Sequence, residues 1–335
     1  MLLVALIVLL PACGGDGSDT VAPPVGRVAR QLATVGAESA IVLVSGDGEE
    51  YRATAGNRRP AADQRFRIGS VTKTFTATIV LQLVAEGRLR LGDTLGRYVP
   101  DLPRRARGIT IRQLLNHRSG LANITDDPGW IVQADRSAST RPIGVLHYGV
   151  TQPLFFAPGT QWRYSNTNYI ALGLVIEKVT RDSYARQLDE RILEPLQLDS
   201  TELPTTRRLP DLQDAGENPN LAWAAGGLVS NAHDLARFYS ALLSGDVLSD
   251  ESLALMKQTV DTDQPGTADG LGIFTTRLPC GRFWGHNGGI GDYLTVIQAS
   301  EDGRRVAVLS ARGHPTGPPP DLIRLLCPSQ PSGSR

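Results

Sequence analysis

The chain has 335 residues, of which 41% are hydrophobic and 20% charged, enough apolar sequence for a large buried core. Its 34 basic residues balance its 34 acidic residues, so there is no net positive charge to attract nucleic acid. Only Lys73, Lys178 and Lys257 are lysines, and any motif that needs a lysine must use one of them.

The N-terminal residues indicate export. The apolar run from Leu2 to Leu10 suits the hydrophobic region of a signal peptide and is too short to cross a bilayer. It ends just before Cys13, in a segment that resembles the lipobox of bacterial lipoproteins. An ordinary secretory signal with an incidental cysteine is the alternative. We therefore expect a signal peptide at 1–12 and a flexible tether at 13–24 that begins with a lipidated Cys13. The expected location is extracytoplasmic, either lipid-anchored to the outer face of the cell membrane or secreted.

Two further cysteines, Cys280 and Cys327, remain if Cys13 carries a lipid. In an oxidising compartment they can pair. Two separate buried thiols are the alternative.

The first predicted element is a β-hairpin, with strands at 40–44 and 51–55 around a turn at Asp47-Gly48. A helix follows over about 71–86, and Gly87 ends it. From about 90 to 260 the signals are mostly helical. Thr110 is a predicted cap for a helix over 111–117, and Asn231 for one over 232–244.

Strand patterns return late in the chain, at 271–276, 282–286, 293–300 and 305–310, before a short helix at 321–326. Strands at both ends with helices between them predict an α/β (α+β) fold. We expect an antiparallel sheet built from both chain ends, flanked by helices, with a mostly helical region inserted at about 90–260. The main domain would span 25–327, and the polar tail at 328–335 would be disordered.

The first candidate motif places a serine and a lysine on one helix face. Ser70 and Lys73 lie one turn apart at the start of the predicted helix. A serine hydroxyl needs a neighbouring base to become a nucleophile, and apolar surroundings disfavour the charged form of a lysine. The helix N-terminus and the Ser70 N–H would stabilise a developing oxyanion. A helix-capping serine beside a solvated lysine is the alternative.

The second motif is Tyr164 with Asn166, which follows a Pro-Gly loop. A tyrosine near cations would be partly ionised and would act as a base. The Asn166 amide would orient a substrate amide. A packed tyrosine with its hydroxyl satisfied is the alternative.

The third motif begins at His286 in a late predicted strand. Gly288 and Gly289 leave room there for a substrate backbone, and the Gly289 N–H would be the second oxyanion donor. The other histidines without a motif are expected to be structural or solvated: His117, His233 and His314.

In this order, Ser-x-x-Lys, Tyr-x-Asn and His-x-Gly resemble the penicillin-recognising serine hydrolases. That family includes class C β-lactamases, D-alanyl-D-alanine carboxypeptidases and related esterases, and the chain looks most like the secreted actinobacterial carboxypeptidases. The similarity covers about 25–327 and includes the segments FRIGSVTK at 66–73, IRQLLNHRSGL at 111–121 and YSNTNY at 164–169. It implies a β-lactamase/transpeptidase-like fold and a disulfide between Cys280 and Cys327.

The resemblance also implies a mechanism through a covalent acyl-Ser70. Lys73 and Tyr164 would share the proton transfers, and which of them is the acylation base stays open. His286 would take the place that a lysine more often holds in β-lactamases. The family uses no metal or organic cofactor, and the expected partner is a small-molecule or peptide substrate bound by a monomer. The implied substrate-binding residues are Asn166, Asn287, Gly288, Gly289, Trp223 and Phe274.

Two departures from the carboxypeptidases concern the substrate. Phe274 and Asn287 stand where those enzymes have an Arg and a Thr that hold a terminal carboxylate, and Arg277 lies three residues from the matching position. A carboxypeptidase acting on cell-wall peptides is the first hypothesis. An esterase, amidase or β-lactamase with the same machinery is the second. The third is a penicillin-binding sensor or binding lipoprotein with little turnover.

Overall fold

The computed structural model describes residues 24–99, 101–137, 140–209, 211–212, 218–264, 266–313 and 325–327. The predicted signal peptide, Cys13, most of the tether, most of the helix predicted at 321–326 and the tail at 328–335 lie outside these residues. In the described part of the chain, no helix is both long enough and apolar enough to cross a membrane.

Most strands lie early and late in the chain with the helices between them, as the sequence predicts. The strands are β1 Ala37–Gly46, β2 Glu49–Ala55, β3 Phe66–Arg67, β4 Val229–Ser230, β5 Val260–Asp261, β6 Thr267–Asp269, β7 Phe274–Leu278, β8 Gly281–Ile290, β9 Tyr293–Ser300 and β10 Arg305–Gly313. The α-helices are α1 Val25–Thr34, α2 Thr72–Ala85, α3 Leu95–Tyr98, α4 Arg104–Arg107, α5 Ile111–Leu115, α6 Pro128–Arg136, α7 Pro142–Thr151, α8 Asn166–Thr180, α9 Tyr184–Leu188, α10 Glu194–Leu196, α11 Pro219–Gly226, α12 Ala232–Ser244 and α13 Asp250–Met256. Short 3₁₀ turns occur at Gly69–Val71 and Ile124–Asp126, and a π turn at Asp189–Leu193.

The larger sheet has the strand order β2-β1-β10-β9-β8-β7-β6-β5 in the described residues. The early strand β1 pairs antiparallel with the late strand β10, and each further neighbour is also antiparallel. This confirms the prediction of an antiparallel sheet built from both chain ends with a mostly helical insert. A second, two-stranded sheet joins β3 to β4.

The strand β1, next to the edge strand β2, is buried on both faces of the sheet. Ile41 and Leu43 belong to the main core, whereas Val42 and Val44 belong to a smaller core on the opposite face. The division follows from the two-residue alternation of side chains along a strand. The helix α1 covers the smaller core, and α12 packs on the other side against β10, β1 and β9.

The helix α2 is buried on all sides, although four threonines lie in its first two turns. Their hydroxyls are hydrogen-bonded, as buried polar groups require. Thr74 bonds Tyr239 at 2.8 Å, and Thr76 bonds Tyr184 at 2.7 Å. These bonds fix the helix that carries the Ser-x-x-Lys motif at the centre of the molecule.

Several predicted elements are confirmed closely. The hairpin turns at Asp47 and Gly48, both with positive φ, at 53° and 81°. The helix α12 has the predicted bounds, with the Asn231 side chain accepting from the Asp234 N–H and Gly245 ending it at φ 91°. The sequence analysis did not predict α1, and β8 is longer than its predicted strand because it continues through the glycines after His286.

A disulfide joins Cys280, just before β8, to Cys327, with the two Cα atoms 5.5 Å apart. The two cysteines are 47 positions apart in the sequence. The bond covalently links the start of β8 to the last described segment, as the resemblance implies.

Candidate active site

The 3₁₀ turn Gly69–Val71 presents Ser70 at the start of α2. The short sheet of β3 and β4 holds the segment that leads into this turn, and the N–H of Ile68 donates to the carbonyl of Leu228 at 3.1 Å. The Thr72 hydroxyl donates to the Gly69 carbonyl at 2.7 Å and closes the turn. Ser70 is half-buried, so its hydroxyl is reachable from solvent while its backbone is held.

Lys73 lies one helical turn after Ser70 and is completely buried. Its Nζ is 3.0 Å from Ser70 Oγ, 2.7 Å from Asn166 Oδ1 and 2.6 Å from the Ala225 carbonyl. Burial holds the pKa of Lys73 well below its usual value of 10.5, and the negative charge of Asp269 opposes this effect. A neutral amine has two N–H donors for the two carbonyl oxygens and a lone pair for the Ser70 hydroxyl, so it fits these contacts.

Tyr164 meets the nucleophile from the other side. Its hydroxyl donates to Ser70 Oγ at 2.7 Å, and its ring centroid is 4.9 Å from the Lys73 Nζ. Burial raises the pKa of Tyr164 above its usual 10.0, which the hydrogen bond to Ser70 only partly offsets. The phenol is therefore favoured over the partly ionised form considered from the sequence.

Asn166 is the first residue of α8, and both ends of its amide are engaged. Its Oδ1 accepts from Lys73, and its Nδ2 donates to Asn123 Oδ1 at 3.1 Å. The backbone N–H of Asn166 also donates to Asn123 Oδ1, at 2.9 Å. Asn123 thus orients Asn166, which in turn orients the amine of Lys73.

His117 lies directly behind Tyr164 and is buried. Its ring is 4.3 Å from the Tyr164 ring, and its Nδ1 accepts from the Ser165 N–H at 3.1 Å. The Asn168 side chain contacts the same nitrogen at 3.0 Å, so Nε2 carries the ring proton. Its backbone has φ 54°, which is uncommon for a residue other than glycine. The structural assignment made from the sequence fits this environment.

The strand β8 closes the site against the nucleophile turn. A Cβ on Gly288 would overlap the Ile68 carbonyl oxygen and would lie 3.1 Å from the Ser70 nitrogen, whereas Gly289 has open space beside it. Gly69, with φ 51°, faces the backbone of Gly289. The two expected oxyanion donors, the N–H groups of Ser70 and Gly289, therefore belong to segments in direct contact.

His286 is buried on the same face of β8 as Gly288. Its Nδ1 lies 2.6 Å from the Asn287 carbonyl, and because a carbonyl only accepts, Nδ1 carries the proton. Burial lowers the pKa of His286 to about 3, assisted by the positive charge of Lys73. The ring of Phe274 contacts it edge-on, with centroids 4.8 Å apart. Asn287 lies on the opposite, exposed face with Gly289.

The reaction cleft has a volume of about 270 Å³. None of the described residues that line it carries a charged side chain. Its lining consists of Gly69, Ser70, Ile124, Thr125, Ile131, Asn166, Leu221, Ala222, Ala225, Gly226, Gly289, Ile290 and Gly291.

Trp223, expected at the substrate, is placed differently. Its backbone turns to φ 34°, and the buried ring packs against Tyr184 at 5.2 Å and against Gly173. Its neighbours Leu221 and Ala222 line the cleft instead. The unusual backbone turn within α11 directs the indole into the core.

Asp269 is a polar group of this region that the sequence analysis missed. It ends β6, is 1% exposed, and its Oδ2 accepts from the Trp162 indole at 2.8 Å. An acidic residue beside the glycines of an otherwise apolar segment was the only signal for it. Within the described residues, no group of three or more His, Cys, Asp and Glu side chains could hold a metal ion.

Comparison with known proteins gives a consistent result. The family model described as Beta-lactamase matches residues 26–326. Among curated proteins, Penicillin-binding protein 4* of Bacillus subtilis is 29% identical over 273 residues, which cover 72% of this chain and 59% of that protein. Protein flp of Staphylococcus aureus is 35% identical over 147 residues, which cover 42% of this chain and 28% of that protein. The chain thus spans less than two thirds of the length of these curated relatives.

Solved structures cover more of the chain. A D-stereospecific amidohydrolase from Streptomyces sp. has a TM-score of 0.80 at 33% identity, covering 89% of this chain and 96% of that one. The D-amino acid amidase from Ochrobactrum anthropi SV3 has a TM-score of 0.76 at 27% identity, covering 89% and 95%. With the family match over nearly all of the described residues, the chain belongs to the beta-lactamase family.

Proposed function

We propose that the protein is a serine hydrolase that forms an acyl-Ser70 intermediate and cleaves small amides or esters of D-amino acids that carry no carboxylate. The observation that carries this proposal is the joint contact of Lys73 and Tyr164 with Ser70 Oγ, at 3.0 and 2.7 Å, beside an uncharged cleft. A nucleophile held between a buried amine and a phenol is suited to acyl transfer.

The proton arrangement supports Lys73 as the base. Ser70 Oγ attacks the substrate carbonyl carbon while its proton passes to the neutral amine of Lys73. The carbonyl oxygen becomes an oxyanion that accepts from the N–H groups of Ser70 and Gly289. Tyr164 then donates its proton to the leaving nitrogen as the C–N bond breaks, and recovers one from the Lys73 ammonium.

Deacylation uses the same groups in reverse. Water attacks the acyl carbon and gives its proton to the Lys73–Tyr164 pair. The bond between the acyl carbon and Ser70 Oγ then breaks, and the oxygen takes a proton back. The acid product leaves, and Ser70 is restored.

The electrostatics of the cleft support a substrate without a carboxylate. A terminal carboxylate bound there would lose its hydration without a cation among the described lining residues. Phe274 packs on His286 where a carboxypeptidase would have an arginine, and Arg277 is exposed further along β7. The carboxypeptidase activity implied by the resemblance remains a prediction that ranks second. The preference for D-amino acids is supported by the similarity to a D-stereospecific amidohydrolase and to a D-amino acid amidase.

We also propose an extracytoplasmic location for a monomeric, lipid-anchored or secreted protein. The sequence of 1–13 supports export, and the disulfide between Cys280 and Cys327 suits an oxidising compartment. Globomycin treatment of expressing cells tests the anchor, since blocked processing of the precursor is expected only if Cys13 is lipidated.

The substrate test compares D-phenylalanine amide, L-phenylalanine amide and D-alanyl-D-alanine with the wild type and Ser70→Ala. We expect D-phenylalanine amide to be cleaved fastest, with activity lost in Ser70→Ala. Faster release of D-alanine from the dipeptide would favour the carboxypeptidase. A stable penicillin adduct on Ser70 with no turnover of any substrate would favour the binding protein.

A further inference from the structure

Asp269 is a buried carboxyl group with one oxygen satisfied and one left over. Its Oδ2 accepts from Trp162 Nε1 at 2.8 Å. Its Oδ1 has no hydrogen-bond partner among the described residues, although the side chain is 1% exposed. An acid in such a place costs stability, so its presence needs a reason other than packing.

The indole that contacts Asp269 belongs to the loop that carries Tyr164. Trp162 is two residues before Tyr164, and the N–H of Arg163 between them donates to the His117 carbonyl at 3.0 Å. The Trp162 ring also meets the His117 ring edge-on, at 6.3 Å. The hydrogen bond to Asp269 therefore anchors the loop that brings the phenol to Ser70.

Asp269 also interacts electrostatically with the proton-transfer groups. Its negative charge raises the pKa of Lys73, the positive charge of Lys73 lowers the pKa of Asp269, and burial opposes ionisation of both. It also raises the pKa values of Tyr164 and Tyr169.

Lys73 also acts electrostatically on two buried imidazoles. Burial and the charge of Lys73 lower the pKa values of both His117 and His286. The phenols of Tyr164 and Tyr169 also face Lys73, with ring centroids 4.9 and 5.5 Å from its Nζ, and burial raises the pKa of both. Asp269 is the carboxyl group whose charge raises the pKa of Lys73, so its anion can stabilise the ammonium that forms when Ser70 loses its proton.

Resting on the proposed acyl transfer through Ser70, we propose that Asp269 is a positioning residue of the active site. It acts on Tyr164 through the indole of Trp162, and on the amine of Lys73 through its charge.

Two variants separate these actions from a purely structural role. Asp269→Asn keeps an oxygen that can accept from the indole and removes the charge. Trp162→Phe keeps the acid and removes the N–H donor. Glu301→Gln is the matched control, because Glu301 Oε2 also accepts from an indole, that of Trp284 at 2.7 Å, outside the active site.

The readout is the pH dependence of Ser70 labelling by a fluorophosphonate, measured by intact mass, beside kcat/KM for an activated ester. Labelling needs only the activated nucleophile, so failure of the proposed substrate class leaves this test intact. Absence of labelling in the wild type would instead refute the proposed function.

We expect Asp269→Asn to move the acid limb of both profiles to lower pH by about one unit, because the ammonium of Lys73 loses its counter-charge. Trp162→Phe should lower kcat/KM about tenfold, because the loop of Tyr164 is released. Glu301→Gln should change neither. An unmoved acid limb in a folded Asp269→Asn overturns the proposal. If that variant does not fold, a wild-type kcat/KM in Trp162→Phe overturns it.

Discussion

The Cα atom of Gly288 faces the carbonyl oxygen of Ile68 so closely that no side chain fits between them. The next residue, Gly289, borders the cleft and has open space at the same position. Two adjacent glycines of β8 therefore have different reasons to be glycine. One allows the strand to approach the nucleophile turn, and the other leaves room for substrate.

We expect Gly288→Ala to displace the turn that carries Ser70 and to lower both the melting temperature and the rate of Ser70 labelling. Gly289→Ala should keep the wild-type melting temperature and mainly raise KM, since its methyl group enters the cleft. Thermal melting and labelling of both variants test this difference. Equal melting temperatures for the two variants would contradict it.

His286 should stay neutral over the working pH range, because burial lowers its pKa to about 3. Neither the wild type nor His286→Gln should then show an inflection in kcat/KM near the usual histidine value of 6.5. His286→Gln should lower the rate by the same factor at every pH. A limb near this pH that disappears in the variant would show that the imidazole titrates during catalysis.

Asn123 should matter for rate although it is remote from the reacting atoms. Removing its amide in Asn123→Ala frees Asn166 and, through it, the amine of Lys73. We expect kcat to fall about tenfold to a hundredfold with the fold retained. The control is Asn231→Ala, which removes the cap of α12 and should cost about 1 kcal/mol of stability without changing kcat. An unchanged kcat in Asn123→Ala would show that Asn166 is held without it.

The buried carboxyl of Asp269 should make stability depend on pH. Burial raises the folded-state pKa of Asp269 well above 3.8. Below pH 3.8 the carboxyl group is protonated in both the folded and the unfolded state, so the free energy of unfolding is highest there and falls as the pH rises. The asparagine side chain of Asp269→Asn does not ionise, so its contribution to stability does not change with pH. As the pH rises, the free energy of unfolding of Asp269→Asn should therefore increase relative to that of the wild type, by up to about 1.4 kcal/mol per pH unit. Urea unfolding at several pH values measures this difference, and parallel stability curves would contradict it.

Local signals predicted much of the fold. The Asp47-Gly48 turn, the Asn231 cap and the Gly245 stop are short-range features whose physical effect does not depend on the rest of the chain. The order of the three motifs led to the family that the comparison supports. The sequence analysis did not predict α1, although its apolar residues recur at helical spacing and Val28, Ala29 and Leu32 form the buried face that packs against β1 and β2.

The surroundings of the active-site residues could not be predicted from the sequence, because they are formed by residues far apart along the chain. Trp162 and Asp269 are separated by 107 positions, and no local pattern indicates that they meet. The ring of Trp223 packs against Tyr184 and Gly173, which are distant in the sequence, so no local pattern indicates its direction. Burial then lowers the pKa of Lys73 and raises that of Tyr164, which favours the neutral form of both groups.

The disulfide between Cys280 and Cys327 encloses β8, β9 and β10 in one covalent ring. The strand that carries His286 and Gly289 is therefore tied at its beginning to the far end of the described chain, while β10 is paired with β1. Unfolding of the late strands must keep this ring closed, which limits how far the oxyanion side of the site can separate from the rest of the sheet. The redox state of the compartment thus becomes a condition for the integrity of the site, and recombinant protein should be produced where this ring can form.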